Sequence, residues 1–194
     1  MATLASVKTA NGFASLRDIT AADVPAIVDY WVLAPDGHLA SMGVDRQRLG
    51  TREDIYRRFA TAIRTGDACQ SNIALGVTLD DRLVGYTLLN RYSDDVNYSH
   101  WHIIEPNLRA KGLSSALYPH RIKAYFELGP LSQLIHQTRT SNVGVNRVLD
   151  KFVPVSETKF VEKPDGVGGP GEFHLRYVRR EDVPGIFARA AEVR

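Results

Sequence analysis

Three stretches rich in β-branched and aromatic residues follow one another with no helical pattern between them: Asn72 to Leu79, Leu83 to Asn90 and Tyr98 to Ile104. Each has the length and composition of a buried strand. Asp80-Asp81-Arg82 separates the first two and predicts a hairpin. A generic α/β sheet alternates strand and helix one at a time. Three consecutive strands argue instead for a mixed, mostly antiparallel central sheet flanked by helices.

The rest of the chain supplies those helices. Residues 1–12 are small and polar and read as a loose N-terminal segment. Phe13 to Ile19 reads as a first strand. Thr20 with Asp23, then Thr51 with Asp54, give two helix starts of capping type. Their inward faces are Val24, Ile27, Val28 and Trp31, then Ile55, Phe59, Ala62 and Ile63. After the three strands come a helix from about Gly112, a strand at Leu134 to Thr140 and a helix after Asn142. Val145, Val148, Leu149 and Phe152 form the inner face of that helix. Val153 to Val161 and Phe173 to Val178 read as closing strands. The division is a domain over 13–180 and a C-terminal helix over 181–194. Pro119 breaks the pattern inside the third long helix, where it predicts a bend or an early end and restart.

Between the third strand and that helix lies Ile104-Glu105-Pro106-Asn107-Leu108-Arg109-Ala110-Lys111-Gly112-Leu113-Ser114-Ser115. A helix start leaves main-chain N–H groups unpaired and carries partial positive charge. Arg109 and Lys111 add full charges, and Gly112 lets a ligand approach the backbone. The alternatives are a phosphate or pyrophosphate site and a solvated basic turn.

Here the chain resembles the GNAT acetyltransferase superfamily. Its pyrophosphate loop reads Gln or Arg, two residues, Gly, one residue, then Gly or Ala, between the fourth strand and third helix. Arg109-x-x-Gly112-x-Ser114 follows it, with Ser in the last place. The order of strands and helices from Phe13 to Val178 follows the family too. The resemblance implies an acyltransferase that uses acetyl-CoA as cosubstrate, needs no metal and acetylates an amine on a small molecule or protein. It admits a homodimer.

By that resemblance, main-chain groups near Ile103 and Ile104 would pair with the pantetheine amides. The N–H groups of Arg109, Ala110, Lys111, Gly112, Leu113, Ser114 and Ser115, with the Arg109 and Lys111 side chains, would hold the pyrophosphate. Asn142 would orient the pantetheine arm. The helix after Asn142 lacks the Tyr with which many members protonate the departing thiolate.

An alkylammonium has a pKa near ~10.4, so an amine acceptor needs a base. Tyr98, His100 and His102 alternate onto one face of their strand, with Trp101 and Ile103 on the other. His100 is the first choice for base and His102 the second. Each is alternatively a structural, hydrogen-bonded histidine. His136 is weaker, and Glu105 lies close to the expected phosphates. Tyr98, Ser141 or water would protonate the thiolate. Leu33 to Gly50, with Pro35, Asp36, Gly37, His38 and Asp45, is a polar loop that serves as a lid or a linker. The acidic pairs Asp80-Asp81 and Asp94-Asp95 would attract a cationic amine or simply decorate turns.

Other classes are disfavoured. A formal net charge of +2, without a dense basic run, does not suit a nucleic-acid binder. The single Cys69 excludes an intrachain disulfide and Cys-rich metal sites. No apolar run reaches membrane-spanning length and no signal-type core opens the chain, so a cytoplasmic protein is expected. Gly166-Val167-Gly168-Gly169-Pro170-Gly171 satisfies the dinucleotide pattern G-x-G-x-x-G, but no apolar strand precedes it and no helix follows. It reads as a flexible connection between the last two strands. Leu16-Arg17 with Asp23-Val24-Pro25-x-Ile27 recurs as Leu175-Arg176 with Asp182-Val183-Pro184-x-Ile186. This echo is either a vestige of duplication or a shared way of spelling a strand-to-helix corner. The rival to an enzyme is a non-catalytic acyl-CoA-binding or regulatory module on the same fold.

Overall fold

A computed structural model describes residues 3–64, 72–162, 164 and 167–192. Cys69, Lys163, Asp165 and Gly166 lie outside the described residues. The strands are β1 (Thr3–Thr9), β2 (Gly12–Asp18), β3 (Asn72–Leu79), β4 (Arg82–Arg91), β5 (Val96–Ile103), β6 (Gln133–Arg139), β7 (Glu157–Val161) and β8 (Gly171–Arg179). They form one sheet in the order β1-β2-β3-β4-β5-β6-β8-β7. Every described pairing is antiparallel except β5 with β6.

The helices are α1 (Val24–Val32), α2 (Asp36–Ser41), α3 (Arg46–Leu49), α4 (Arg52–Ala60), α5 (Leu113–Leu128), α6 (Val143–Leu149) and α7 (Val183–Glu192). Side-chain alternation along β3 and β4 assigns them to two faces. Ala74, Tyr86 and Leu88 pack with Val24, Ile27, Trp31, Leu39, Leu49, Ile55 and Phe59 from α1 to α4. Ile73, Leu75 and Leu89 pack on the other face with residues of α5, α6 and α7. Strands buried on both sides need continuous apolar sequence, which is why β3 and β4 are so legible.

The Asp80-Asp81 hairpin forms with both residues at positive φ (47° and 65°), as a two-residue turn matched to strand twist requires. Thr51 and Asp54 form the expected reciprocal cap on α4. Thr20 and Asp23 do not. Asp23 sits at the N-cap of α1 without capping it. Its carboxylate turns back to accept the Thr20 N–H and hydroxyl and two bonds from Arg17, at 2.8–2.9 Å.

The segment expected to be loose contains β1, because Leu4 and Val7 find apolar partners once β1 folds against β2. The polar loop at 33–50 holds two short helices, so among the described residues four helices rather than two precede β3. Tertiary contacts order them: Val44 bridges Gly168, Asp45 N–H donates to Val167 O, and Gly169 N–H donates to Gly43 O. The described part of the glycine-rich connection is thereby pinned. A Cβ on Gly171 would overlap the Arg139 guanidinium.

Helix α5 runs through the buried Pro119 without a break. The carbonyl that Pro119 leaves unpaired, by i to i−4 counting, belongs to Ser115. Ser115 lines an open groove.

The echo spells one corner twice. Asp182 accepts the Arg179 N–H at 2.7 Å as Asp23 accepts that of Thr20. The arginines then diverge, with Arg17 pairing Asp23 and Arg176 pairing Asp150.

Thr51→Ala removes one half of the α4 cap and should cost about 1 kcal/mol. Thermal unfolding should register a loss of several degrees, and an unchanged Tm would show that the cap does not support this helix.

Candidate active site

Strand β5 is held by β4 along its length, from Asn97↔Arg91 to Ile103↔Gly85. It is held by β6 only at Val96↔Gln133, Asn97↔Leu134 and Tyr98↔Ile135. Beyond these pairs β6 stays with β8 to Arg139↔Phe173. The two strands therefore part after Tyr98 and leave a wedge between Ser99–Ile103 and 136–139.

Strand alternation defines the wedge's polar lining. Ile104 N–H donates to Val84 O at 3.0 Å, so His100 and His102 turn their backbone groups toward β4 as well. Consistently, the His100 carbonyl accepts from Thr87 Oγ1 at 2.6 Å. Ser99, Trp101 and Ile103 face the open edge. Trp101, not Ile104, shares that edge with Ile103, while the Ile104 N–H is taken by Val84.

The turn after β5 enters α5 through two residues at positive φ, Ala110 (60°) and Gly112 (83°). No side chain caps α5. The N–H groups of Gly112, Leu113, Ser114 and Ser115 have no acceptor among the described residues, the first helical bond there being Ala116 N–H to Gly112 O. A Cβ on Gly112 would meet nothing within 4 Å. Open space thus lies over four unpaired donors.

The two basic side chains of the turn separate. Lys111 is exposed, and its carbonyl accepts from Asn11 Nδ2 at 3.0 Å. Arg109 donates from Nε to Ile103 O at 3.2 Å and lies 5.9 Å from the Tyr30 ring centroid. Its guanidinium thus points toward α1 rather than standing over the helix start. Lys151 takes that place, with Nζ 3.3 Å from Ser115 Oγ. Lys8, Lys151, Phe152, Gly112 and Ser115 line a groove of about 310 Å³. Sequence reading assigned no role to Lys8 or Lys151, because only tertiary folding brings them to α5.

Asn142 caps α6 by accepting the Val145 N–H at 3.3 Å, so its carbonyl oxygen already has a structural task. Tyr98 lies at the closed end of the wedge against Tyr92. His136 faces α5 and pairs with Tyr118 Oη at 2.9 Å. Glu105 pairs with Arg82 at 2.6 Å. Ser141 is exposed in the turn before α6. Asp80 accepts the Phe13 N–H and Asp94 pairs with Arg91, so these acidic turns are engaged locally.

His100 and His102 face the α1 side. Burial, then the charge of Arg121, pushes His100 down to about 4. Burial, then His100, His38 and Arg109, pushes His102 down to about 3. His102 stacks on Tyr86 (5.0 Å, 22°) and meets the edge of Trp31 at 4.9 Å. Its Nδ1 lies 3.3 Å from Tyr30 Oη.

On the opposite face Arg121 is 3% exposed, and among the described residues no carboxylate pairs with it. It lies over Trp101 (5.1 Å) and Tyr118 (5.0 Å), reaches Thr87 Oγ1 at 3.5 Å, and its Nε is unpartnered. Burial lowers its pKa. Tyr30 and Arg121 went unassigned in the sequence because each looks like one more residue of a helix face.

No family model and no curated protein matches the chain. Solved structures do. Mycobacterium smegmatis RimJ in complex with CoA-disulfide superposes with a TM-score of 0.75 at 16% identity, over 100% of this chain and 97% of that one. RimL, a ribosomal alpha-N-protein acetyltransferase in complex with coenzyme A, gives 0.70 at 12%, over 92% and 98%. An acetyltransferase of the GNAT family from Bacillus anthracis gives 0.65 at 17%, over 93% and 99%. Likeness at these identities shows the fold. Among the described residues no helix is long and apolar enough to cross a membrane.

The depressed histidines fix the sign of an acid effect. Below about pH 6.5 the unfolded chain binds protons that His100 refuses until about 4 and His102 until about 3. Their contribution to stability is intact above that window and lost as pH falls through it. Thermal unfolding should show Tm falling from neutral pH toward about pH 4.5, and falling less in His102→Gln. Equal slopes in both proteins would contradict the burial of this imidazole.

Proposed function

We propose that this chain, which has the fold of the GNAT acetyltransferases, moves an acetyl group from acetyl-CoA to a primary amine by direct attack on the thioester. The observation that carries the reading is the wedge. A sheet that splits after Tyr98, beside a helix start with unpaired N–H groups, offers one path for an extended, phosphate-bearing thioester.

In this reading Gly112 to Ser115, with Lys111 and Lys151, take the pyrophosphate. The open-edge groups of Trp101 and Ile103 pair with the pantetheine arm. One N–H of that edge would stabilise the oxyanion as negative charge develops on the carbonyl oxygen. The nitrogen–carbon bond forms and the carbon–sulfur bond breaks. The amine's proton passes to a base on the α1 face, where His100 and His102 stand. The thiolate takes a proton from water, since Tyr98 lies at the closed end. Arg121, buried over Trp101 without a carboxylate partner among the described residues, supports the same reading from the cosubstrate face, because a buried cation favours negative charge developing near it.

Isothermal titration with acetyl-CoA tests this. Wild-type protein should bind, and Lys111→Ala with Lys151→Ala should weaken binding by about tenfold or more, the worth of charge-assisted phosphate contacts. Release of free thiol in the presence of primary amines should follow. Binding without turnover would favour the non-catalytic acyl-CoA module, and no binding by folded protein would defeat both readings.

A further inference from the structure

We infer that Tyr30 and His38 form a proton exit for His102, so that the base on the α1 face discharges to solvent through α1 and α2. This inference rests on the acetyl-transfer reading. Tyr30 Oη lies 3.3 Å from His102 Nδ1 and 3.2 Å from His38 Nε2. Its hydroxyl is therefore a single link between a ring on β5 and a half-exposed ring on α2. Among the described residues the one other hydrogen-bond partner of that oxygen is Met42 Sδ, at 3.3 Å, a weak acceptor. His102 Nε2 makes no hydrogen bond among the described residues, which leaves it free for the amine.

The surroundings hold the link in line. Trp31 donates to Tyr86 Oη at 2.7 Å, and Tyr86 stacks on His102. Tyr30 contacts Trp31, His38, Tyr86 and His102 by ring edges or tilted faces. The titratable and charged groups facing the link are Tyr30 from α1, His38 from α2, Tyr86 from β4 with Arg58 of α4 beyond it, His100 and His102 from β5, and Arg109 from the turn. Among them Arg109 is a fixed cation beside the ring and there is no carboxylate. A proton resting on His102 is disfavoured, so a base here works only if the proton moves on.

The transfer balances with one tautomer set. His102 carries its proton on Nδ1, Tyr30 donates to His38 Nε2, and His38 carries its proton on Nδ1. As the amine attacks, its proton goes to His102 Nε2. The His102 Nδ1 proton goes to Tyr30 Oη, the Tyr30 proton to His38 Nε2, and the His38 Nδ1 proton to water. Three neutral side chains begin and end neutral, and one proton reaches solvent. Tyr30 and His38 act through His102 and are positioning residues in this scheme.

The test uses acetyl-CoA and a panel of primary amines, including peptides with free N-termini, with thiol release as readout. Wild type, Tyr30→Phe and His38→Ala are compared, each confirmed folded by its thermal transition. Both variants should lose about tenfold to hundredfold in kcat, with acetyl-CoA affinity unchanged. Imidazole in the buffer should restore His38→Ala in proportion to its concentration, and should leave Tyr30→Phe unrestored because the inner link is missing. His38→Ala, altered at the half-exposed end, carries the test alone should Tyr30→Phe fail to fold. Variants with wild-type kcat, or a His38→Ala defect that imidazole does not relieve, would overturn the relay and leave acetyl transfer standing. A wild type that turns over none of the amines would overturn the acetyl-transfer reading and the relay with it.

Discussion

Strand β5 is bonded on one edge through Ile103 and on the other only through Tyr98. The rest of the candidate site depends on that inequality. Strands this long ordinarily satisfy their backbone groups on both sides. Here β4 and β8 each hold their neighbour firmly while β5 and β6 diverge between them. The split leaves the edge of Trp101 and Ile103 without a partner strand, and the sheet does not dissolve, because β3 and β4 are packed on both faces by separate helix layers.

Electrostatics around the split divide by face. On the α5 side, Arg121 is buried with no carboxylate partner among the described residues, an arrangement that costs several kcal/mol unless other groups compensate. Rings of Trp101 and Tyr118 take part of that role. The contrast with Arg176 is instructive: it is equally buried but bonds Asp150, Asn146 and Thr138. Each keeps an Nε without a partner among the described residues, but only Arg176 has a carboxylate to balance its charge, and Arg121 lies beside the split. On the α1 side, His100 and His102 are neutral at physiological pH by burial. A cationic side and a neutral basic side meet at one opening.

What the sequence revealed, and what it hid, follows from the range of the interactions. The three-strand run and the Thr51 cap were legible because they rest on continuous burial and on contacts three residues apart. The loop into α5 was legible for a similar reason: Gly112 marks a backbone conformation that only local geometry demands. Strand β1 was hidden because its weak apolar pattern gains partners only from β2 and the cores beneath. Helices α2 and α3 were hidden because residues 167–169, more than a hundred positions away, hold them. The site shows the same division. His100 and His102 could be assigned to one strand face, but their surroundings could not. Arg109 was assigned to phosphate by its place in the motif, whereas its side chain reaches Ile103 O and Tyr30. Lys151 comes to the helix start from a different helix, and no spacing rule could announce it.

Residue-resolved hydrogen exchange, with and without acetyl-CoA, addresses the central claim most directly. If the split is the cosubstrate site, the ligand should slow exchange at Trp101 and Ile103 and at Gly112 to Ser115. Ile104, already bonded to Val84, should change little. Protection that spares the open edge of β5, or that appears only elsewhere on the surface, would contradict the account.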